Sequence, residues 1–130
     1  MRRRLAIALW VASIAASGGR VLAHHSFAAE FDASKPVKVT GVVTKVEWTN
    51  PHIWFFMDVK GEDGTVANWG FEMASPSQLL RAGWKRTSMK VGDVVAVEAS
   101  RARDGSNAAN AQTVVLTSTG QRLFAGSPGQ

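Results

Sequence analysis

The order of the short alternating apolar runs constrains the fold of this chain more than any other feature of its sequence. One helical segment interrupts them: Ser75 can cap it, Pro76 suits its first turn, Gln78 completes a capping box and Gly83 can end it. The runs rich in β-forming residues are 37–48, 53–60, 66–73, 94–101 and 112–117. The order β-β-β-α-β-β predicts an all-β protein with one short helix, folded as a five-stranded OB-like small barrel. A different small β-barrel is the alternative.

The second and third runs predict a hairpin with a defined register. Glu62-Asp63-Gly64 suits a three-residue loop with Gly64 in the left-handed region. On the predicted inner face, Ile53, Phe55, Met57 and Val59 oppose Met73, Phe71, Trp69 and Ala67. On the outer face, Phe56 opposes Gly70 and Trp54 opposes Glu72.

The first run changes parity along its length. Val37 and Val39 share one face, whereas Val42, Val46 and Trp48 have the opposite parity. Gly41 stands at the change, so we expect a bulge there that restores a continuous core face.

The first 23 residues have the pattern of a cleaved secretory signal peptide. Residues 2–4 are arginines, residues 5–16 are apolar, and small residues surround a cleavage position after Ala23. The apolar run is too short for a membrane anchor, which requires about 18 to 20 residues, so we expect no stable membrane insertion after cleavage. The sequence therefore predicts an exported, periplasmic protein, with an N-terminal arm (24–36), a barrel domain (37–124) and a flexible tail (125–130).

Removal of the signal changes the charge of the chain. The full sequence carries +5, but four of its basic residues lie before position 24 and all ten acidic residues lie after it, which leaves a net charge of +1. The high isoelectric point therefore gives no support for a nucleic-acid partner. The sequence contains no cysteine, which excludes disulfides and thiolate metal sites.

A metal site is the most specific functional hypothesis. Cleavage after Ala23 would leave a free amino group on His24, which could chelate a Cu(II)-like ion together with its own imidazole and with His25 or His52. If Ala23 were the terminus instead, His25 would be the third residue of an amino-terminal Cu(II)/Ni(II) motif. The structural alternative is that the terminal histidines are solvated and that His52 is a turn residue bonded to the backbone.

An aromatic binding face is the second functional hypothesis. His52, Trp54 and Phe56 share the face opposite the core, and Arg101 begins a loop, 101–107, of the kind that borders the ligand face in OB folds. This face suits a small molecule, a glycan or a partner protein. The alternative is that the N-terminal arm or the helix covers the rings. Ser26, His52 and Asp58 supply the residue types of a catalytic triad without its motifs, so we expect a non-enzymatic protein with no catalytic residues.

Two segments resemble a known family. His24-His25-Ser26-Phe27 and Trp48-Thr49-Asn50-Pro51-His52 are similar to segments of a widespread family of small exported bacterial proteins classed as a domain of unknown function. The resemblance covers the whole predicted mature chain and implies export and a single domain. It implies no activity, ligand or catalytic residue.

Overall fold

The computed structural model describes residues 27–126, which form two short helices and six strands. The helices are α1 (Phe27–Glu30) and α2 (Pro76–Arg81). The strands are β1 (Phe31–Glu47), β2 (Trp54–Lys60), β3 (Val66–Glu72), β4 (Val94–Ala102), β5 (Ala108–Leu116) and β6 (Arg122–Phe124). The predicted signal peptide, His24 and His25 lie outside the described residues. Within residues 27–126, no helix is long and apolar enough to cross a membrane.

The strands close into a ring. Antiparallel pairing follows the order β3-β2-β1-β4-β5, and residues 70–72 of β3 then pair in parallel with residues 108–110 of β5. The helix α2 lies between β3 and β4 in the chain. A closed ring of five strands with a helix after the third is the topology of an OB barrel, so the predicted fold class is confirmed. The short strand β6, which the sequence did not predict, pairs with the second half of β5.

The hairpin of β2 and β3 has the predicted register. Phe55 pairs with Phe71, Phe56 with Gly70 and Trp54 with Glu72. Gly64 has a φ of 84°, which turns the chain at the predicted left-handed position. On the inner face, the ring centroids of Phe55 and Phe71 lie 5.1 Å apart. Alternation and turn chemistry were sufficient here because both act within one short segment.

The bulge in β1 lies further along the strand than predicted. Val43 is buried, and the pairing with β2 shifts between Val43 and Lys45, while Val42 is exposed. Gly41 is therefore not the residue at which the parity changes. Position 41 requires glycine for another reason, because a Cβ there would collide with the backbone carbonyl oxygen of Asp58.

The helix α2 begins as its sequence predicts. The hydroxyl of Ser75 accepts a bond from the backbone N–H of Gln78 at 3.3 Å, and the side chain of Gln78 accepts a bond from the backbone N–H of Ser75 at 3.1 Å. This is a complete capping box. Gly83 follows the helix with a φ of 97°.

Two predicted segment boundaries differ from the structure. Residues 31–36, assigned to the N-terminal arm, belong to β1, which continues the pairing with β4 as far as Phe31 and Ala102 after an irregularity. Ala125, assigned to a flexible tail, is buried and its backbone N–H donates to the carbonyl of Gln112 at 2.8 Å. These extensions are stabilised by contacts between distant segments, which the local sequence does not display.

The interior of the barrel is filled with side chains. Apolar residues of all five ring strands and of α2 form one cluster, and Trp84 joins it from the segment after α2 while its Nε1 donates to the carbonyl of Phe124 at 2.9 Å. A filled interior leaves only the outer surface of the sheet for ligands.

Candidate functional site

The outer face of β2 carries the predicted aromatic pair. The rings of Trp54 and Phe56 stack with centroids 6.3 Å apart and an angle of 21° between their planes. Both side chains are half-buried. Gly70 of the neighbouring strand makes room for them, because a Cβ there would lie 3.0 Å from Phe56 Cε1 and 3.5 Å from Trp54 Cζ3. The two rings therefore lie against the backbone of β3 as one unit.

Trp54 lines a groove with a volume of about 570 Å³. The groove lies between the outer face of the sheet, α1 and the loop that joins β4 to β5. Its apolar lining consists of Ala29, Phe31, Trp54, Ala102 and Ala108, and its polar lining consists of Glu30, Arg103, Asp104 and Ser106. The helix α1 thus borders Trp54 without sealing it. This arrangement is intermediate between the two predicted alternatives, an open aromatic face and a covered one.

Arg103 holds α1 beside the groove. Its backbone N–H donates to the carbonyl of Glu30 at 2.8 Å, and its Nε donates to the carbonyl of Ala28 at 2.6 Å. One of its terminal nitrogens lies 3.6 Å from Asp32 Oδ2. These contacts join two segments more than 70 residues apart in the chain, so the wall formed by α1 is attached to the barrel.

Arg101, predicted to join the aromatic face, lies elsewhere. Its guanidinium carbon is 5.3 Å from the ring centroid of Trp69, a residue that packs against the core. Its terminal nitrogen donates to the carbonyl of Gly105 at 2.9 Å. The arginine that lines the groove with Trp54 is Arg103. Because β4 extends to Ala102, the alternation of the strand, rather than a loop, sets the direction of Arg101.

His52, the third predicted metal ligand, precedes the aromatic pair Trp54 and Phe56 in the chain and is half-buried. Its Nδ1 lies 2.9 Å from the carbonyl oxygen of Met73 and must donate there, since a carbonyl only accepts. The same nitrogen lies 3.7 Å from Glu72 Oε1. In the neutral ring, Nε2 is then the nitrogen that carries the lone pair. Between Phe27 and Gly126, no three histidine, aspartate or glutamate side chains lie close enough together to hold a metal ion.

Glu72 and Asn110 form a polar cluster that sequence reasoning missed. The Nδ2 of Asn110 donates to Glu72 Oε1 at 3.2 Å. Burial raises the pKa of the Glu72 carboxyl above its ordinary value, and the nearby Glu30 raises it further, whereas His52 and Asn110 act in the opposite direction. The cluster is created by the parallel pairing of β3 with β5, so only the alternation of Glu72 beside Trp54 could have indicated it.

A comparison with solved structures finds a remote similarity. The chain is similar to the mitochondrial single-stranded DNA-binding protein Rim1 of S. cerevisiae, with 12% sequence identity and a TM-score of 0.49. The similarity covers 75% of this chain and 98% of the Rim1 chain. A search of curated proteins finds no match.

A family model matches most of the chain. A model described as a family of unknown function, DUF6152, matches residues 11–111. The match includes both segments on which the resemblance was noted, from His24 to Phe27 and from Trp48 to His52. It also spans β1 to β4, the groove-lining loop and the first residues of β5. The expected membership of a family of unknown function is confirmed, and the chain belongs to the DUF6152 family.

Proposed function

We propose that this protein is a non-enzymatic binding module, exported to the periplasm, that holds a small organic ligand in the groove beside Trp54. The observation that carries the proposal is the half-buried Trp54 ring, stacked on Phe56 and opening onto a groove of about 570 Å³. Pockets that bind small molecules typically have volumes of about 300 to 1,000 Å³ and combine an aromatic or apolar lining with a few polar groups.

The attachment of the groove walls supports binding. The floor belongs to a hydrogen-bonded sheet, and Arg103 joins α1 to the β4–β5 loop through two hydrogen bonds to backbone carbonyls. A preformed site loses less conformational entropy when a ligand binds than a mobile one does. The groove is therefore suited to recognition without rearrangement of the barrel.

The polar groups of the groove support binding rather than catalysis. Ser106 supplies a hydroxyl, but its neighbour Asp104 uses Oδ1 to accept the backbone N–H of Ser106 at 2.9 Å. His52, the histidine within the described range, directs Nδ1 to the carbonyl of Met73. A nucleophilic serine requires an adjacent base within hydrogen-bond reach.

An NMR titration tests this proposal. The probes are 2-phenylethanol, phenylacetate, 2-phenylethylammonium and glucose, each at millimolar concentration. We expect at least one to shift the indole N–H resonance of Trp54 and the amide resonances of the β4–β5 loop. Trp54→Ala should abolish these shifts, while the matched variant Trp48→Phe, in a half-buried tryptophan that packs beside Arg86, should retain them. The proposal fails if every probe leaves the groove resonances unchanged.

We propose Cu(II) binding by His24, His25 and His52 as a second candidate function. The supporting observation is the bond from His52 Nδ1 to Met73, which orients the ring and leaves Nε2 for a metal. Ligating histidines commonly have their other nitrogen held in this way. His24 is only three residues before the start of α1, which borders the same outer face.

Calorimetry on three forms of the protein tests the second candidate. A chain beginning at His24 should bind one Cu(II), and one extra residue before His24 should weaken a chelate that uses the terminal amine. His52→Gln should weaken binding as well if His52 supplies the third nitrogen. Uptake that is equal in all three forms would exclude this ligand set. Mass spectrometry of protein recovered from the periplasm would report both the terminus and any retained metal.

A further inference from the structure

A row of side chains beside the groove runs across three strands. Trp54 of β2 pairs with Glu72 of β3, and Glu72 pairs with Asn110 of β5. Asn110 alternates with Ala109 and Ala111, which are completely buried in the core, so its side chain lies on the outer face of the sheet. Ala108, on the same face of β5, lines the groove together with Trp54. The row therefore adjoins the groove at Trp54 and Ala108, and Glu72 and Asn110 lie next to these lining residues.

The side-chain oxygen of Asn110 accepts no hydrogen bond from the described residues. Its side chain is only 2% exposed, and its Nδ2 donates to Glu72. Because an ionised carboxylate only accepts hydrogen bonds, this contact fixes which end of the amide faces Glu72. The other end, Oδ1, is buried and has no hydrogen-bond partner in the structure of residues 27–126. A buried acceptor left in this state costs about 1 to 3 kcal/mol.

Glu72 has the imidazole of His52 as its nearby ion-pair partner. Its side chain is 13% exposed, and His52 Nδ1 lies 3.7 Å from it but only 2.9 Å from the Met73 carbonyl. The cationic side chain of the groove, Arg103, is directed to Ala28 and Asp32. The cluster therefore combines a half-buried carboxylate, which has one long ion-pair contact, with an unpartnered buried amide oxygen, and both lie beside an aromatic ring.

We propose that the groove recognises a small organic ammonium compound. This proposal rests on the binding function proposed above and specifies the class of ligand. An ammonium group carries only donors, which match Glu72 and the unpartnered Asn110 Oδ1. The apolar part of the ligand lies against Trp54, whose ring also attracts a cation.

The geometry favours an organic cation over a metal ion. A calcium ion takes six to eight oxygen ligands, and magnesium takes six in a strict octahedron. The part of the chain described by the structure places no three histidine or carboxylate side chains in such a group. An ammonium group needs fewer partners, and its organic body accounts for the aromatic wall.

The test compares two probes of similar shape, 2-phenylethylammonium and the neutral 2-phenylethanol. Both are titrated by NMR into the wild-type protein and into Glu72→Gln, Trp54→Ala and the control Glu98→Gln, which changes a carboxylate on another part of the sheet. The wild-type protein should prefer the ammonium probe by at least about tenfold, the contribution of one charge-assisted hydrogen bond. Glu72→Gln should remove the preference and retain the alcohol affinity, and Glu98→Gln should keep both.

The outcomes separate this proposal from the one on which it rests. Equal wild-type affinities for the two probes, both lost in Trp54→Ala, would overturn the ammonium proposal and leave the groove function standing. A preference that survives in Glu72→Gln would overturn it as well. If neither probe perturbs the groove, both proposals fail. As a second readout, the ammonium probe should lower the pKa of Glu72 followed by carboxyl carbon resonances, whereas the alcohol should not.

Discussion

Two carboxylates on the outer surface of the same sheet, Glu72 and Glu98, are treated in opposite ways. Glu98 on β4 accepts a hydrogen bond from Thr113 at 3.2 Å and pairs with Arg122 at 3.3 Å and Lys38 at 3.5 Å. Lys38, Thr113 and Arg122 together hold its pKa below the ordinary value, with Lys38 contributing most. Glu72 on β3 is half-buried beside the groove, and burial raises its pKa.

The difference separates a charge that is paired within the fold from the charge that we propose to meet a ligand. The lining of the pocket around Glu98, about 290 Å³, includes Lys38, Thr113 and Arg122, which already contact the carboxylate. A ligand there would have to displace existing partners. At Glu72 the ion pairing is incomplete, which costs stability. Such a cost is common at binding sites.

The largest expected effect is a loss of stability of the whole barrel, which carries both the Glu72 region and the Glu98 region. Gly41→Ala should destabilise the protein by roughly 2 kcal/mol, since the added Cβ would collide with the backbone carbonyl of Asp58. Urea denaturation measures the change. Gly61→Ala is the control, because its new Cβ would meet mainly the end of the exposed Asp63 side chain and should cost less. Equal losses in the two variants would contradict this account.

A smaller effect should be confined to the groove. Arg103→Met removes the bond to the carbonyl of Ala28 and should destabilise the protein by about 1 kcal/mol. It should also weaken probe binding, because α1 loses its attachment to the β4–β5 loop. Arg122→Met, in the pocket around Glu98, should change stability less, because Glu98 keeps Lys38 and Thr113. Probe affinity that is unaffected in Arg103→Met would show that α1 is not a necessary wall.

Substitution of the two glutamates should change stability in opposite directions at neutral pH. Glu72→Gln should stabilise the protein by roughly 0.5 kcal/mol, because it removes a half-buried charge and keeps an acceptor for Asn110. Glu98→Gln should destabilise it, because it removes an ion-paired carboxylate. Thermal unfolding at neutral pH measures both, and a loss of stability in Glu72→Gln would contradict the incomplete pairing inferred for this residue.

The pH dependence of stability should show the same contrast between Glu72 and Glu98, and it is the smallest of the expected effects. Glu98 has a lowered pKa, so its stabilisation is present above the unfolded pKa and is lost as the pH falls through the folded value. Glu72 has a raised pKa, so its contribution is fully present below the unfolded pKa and is lost as the pH rises through the folded value. Carboxyl carbon resonances should place the Glu72 midpoint above the Glu98 midpoint, and the reverse order would contradict the comparison.

Much of the fold could be predicted because it depends on local chemistry. The alternation of residues 53–60 and 66–73 and the left-handed Gly64 define the hairpin register, which places Trp54 beside Glu72. Ser75 and Gln78 define the start of α2 in the same way. Each of these features involves residues that are close in sequence.

The groove was only partly predictable. Trp54 and Phe56 could be assigned to one outer face by parity, but Arg101 was assigned to that face because residue 101 was taken as the start of a loop. The structure extends β4 to Ala102 and begins β5 at Ala108, so the groove arginine is Arg103. Residues 108–111 are three alanines and one asparagine, which carry little strand preference of their own.

By itself, the sequence determined the order of strands, the register of the β2–β3 hairpin, the cap of α2 and the shared face of His52, Trp54 and Phe56. Only the tertiary structure decided the bulge after Val43, the attachment of α1 by Arg103 and the contact between Glu72 and Asn110. The physical reason is distance along the chain: alternation and capping act over a few residues, whereas these contacts form only when the ring of strands closes. The candidate ligand chemistry comes from that closure, which places a half-buried carboxylate and an unpartnered amide oxygen beside an aromatic ring.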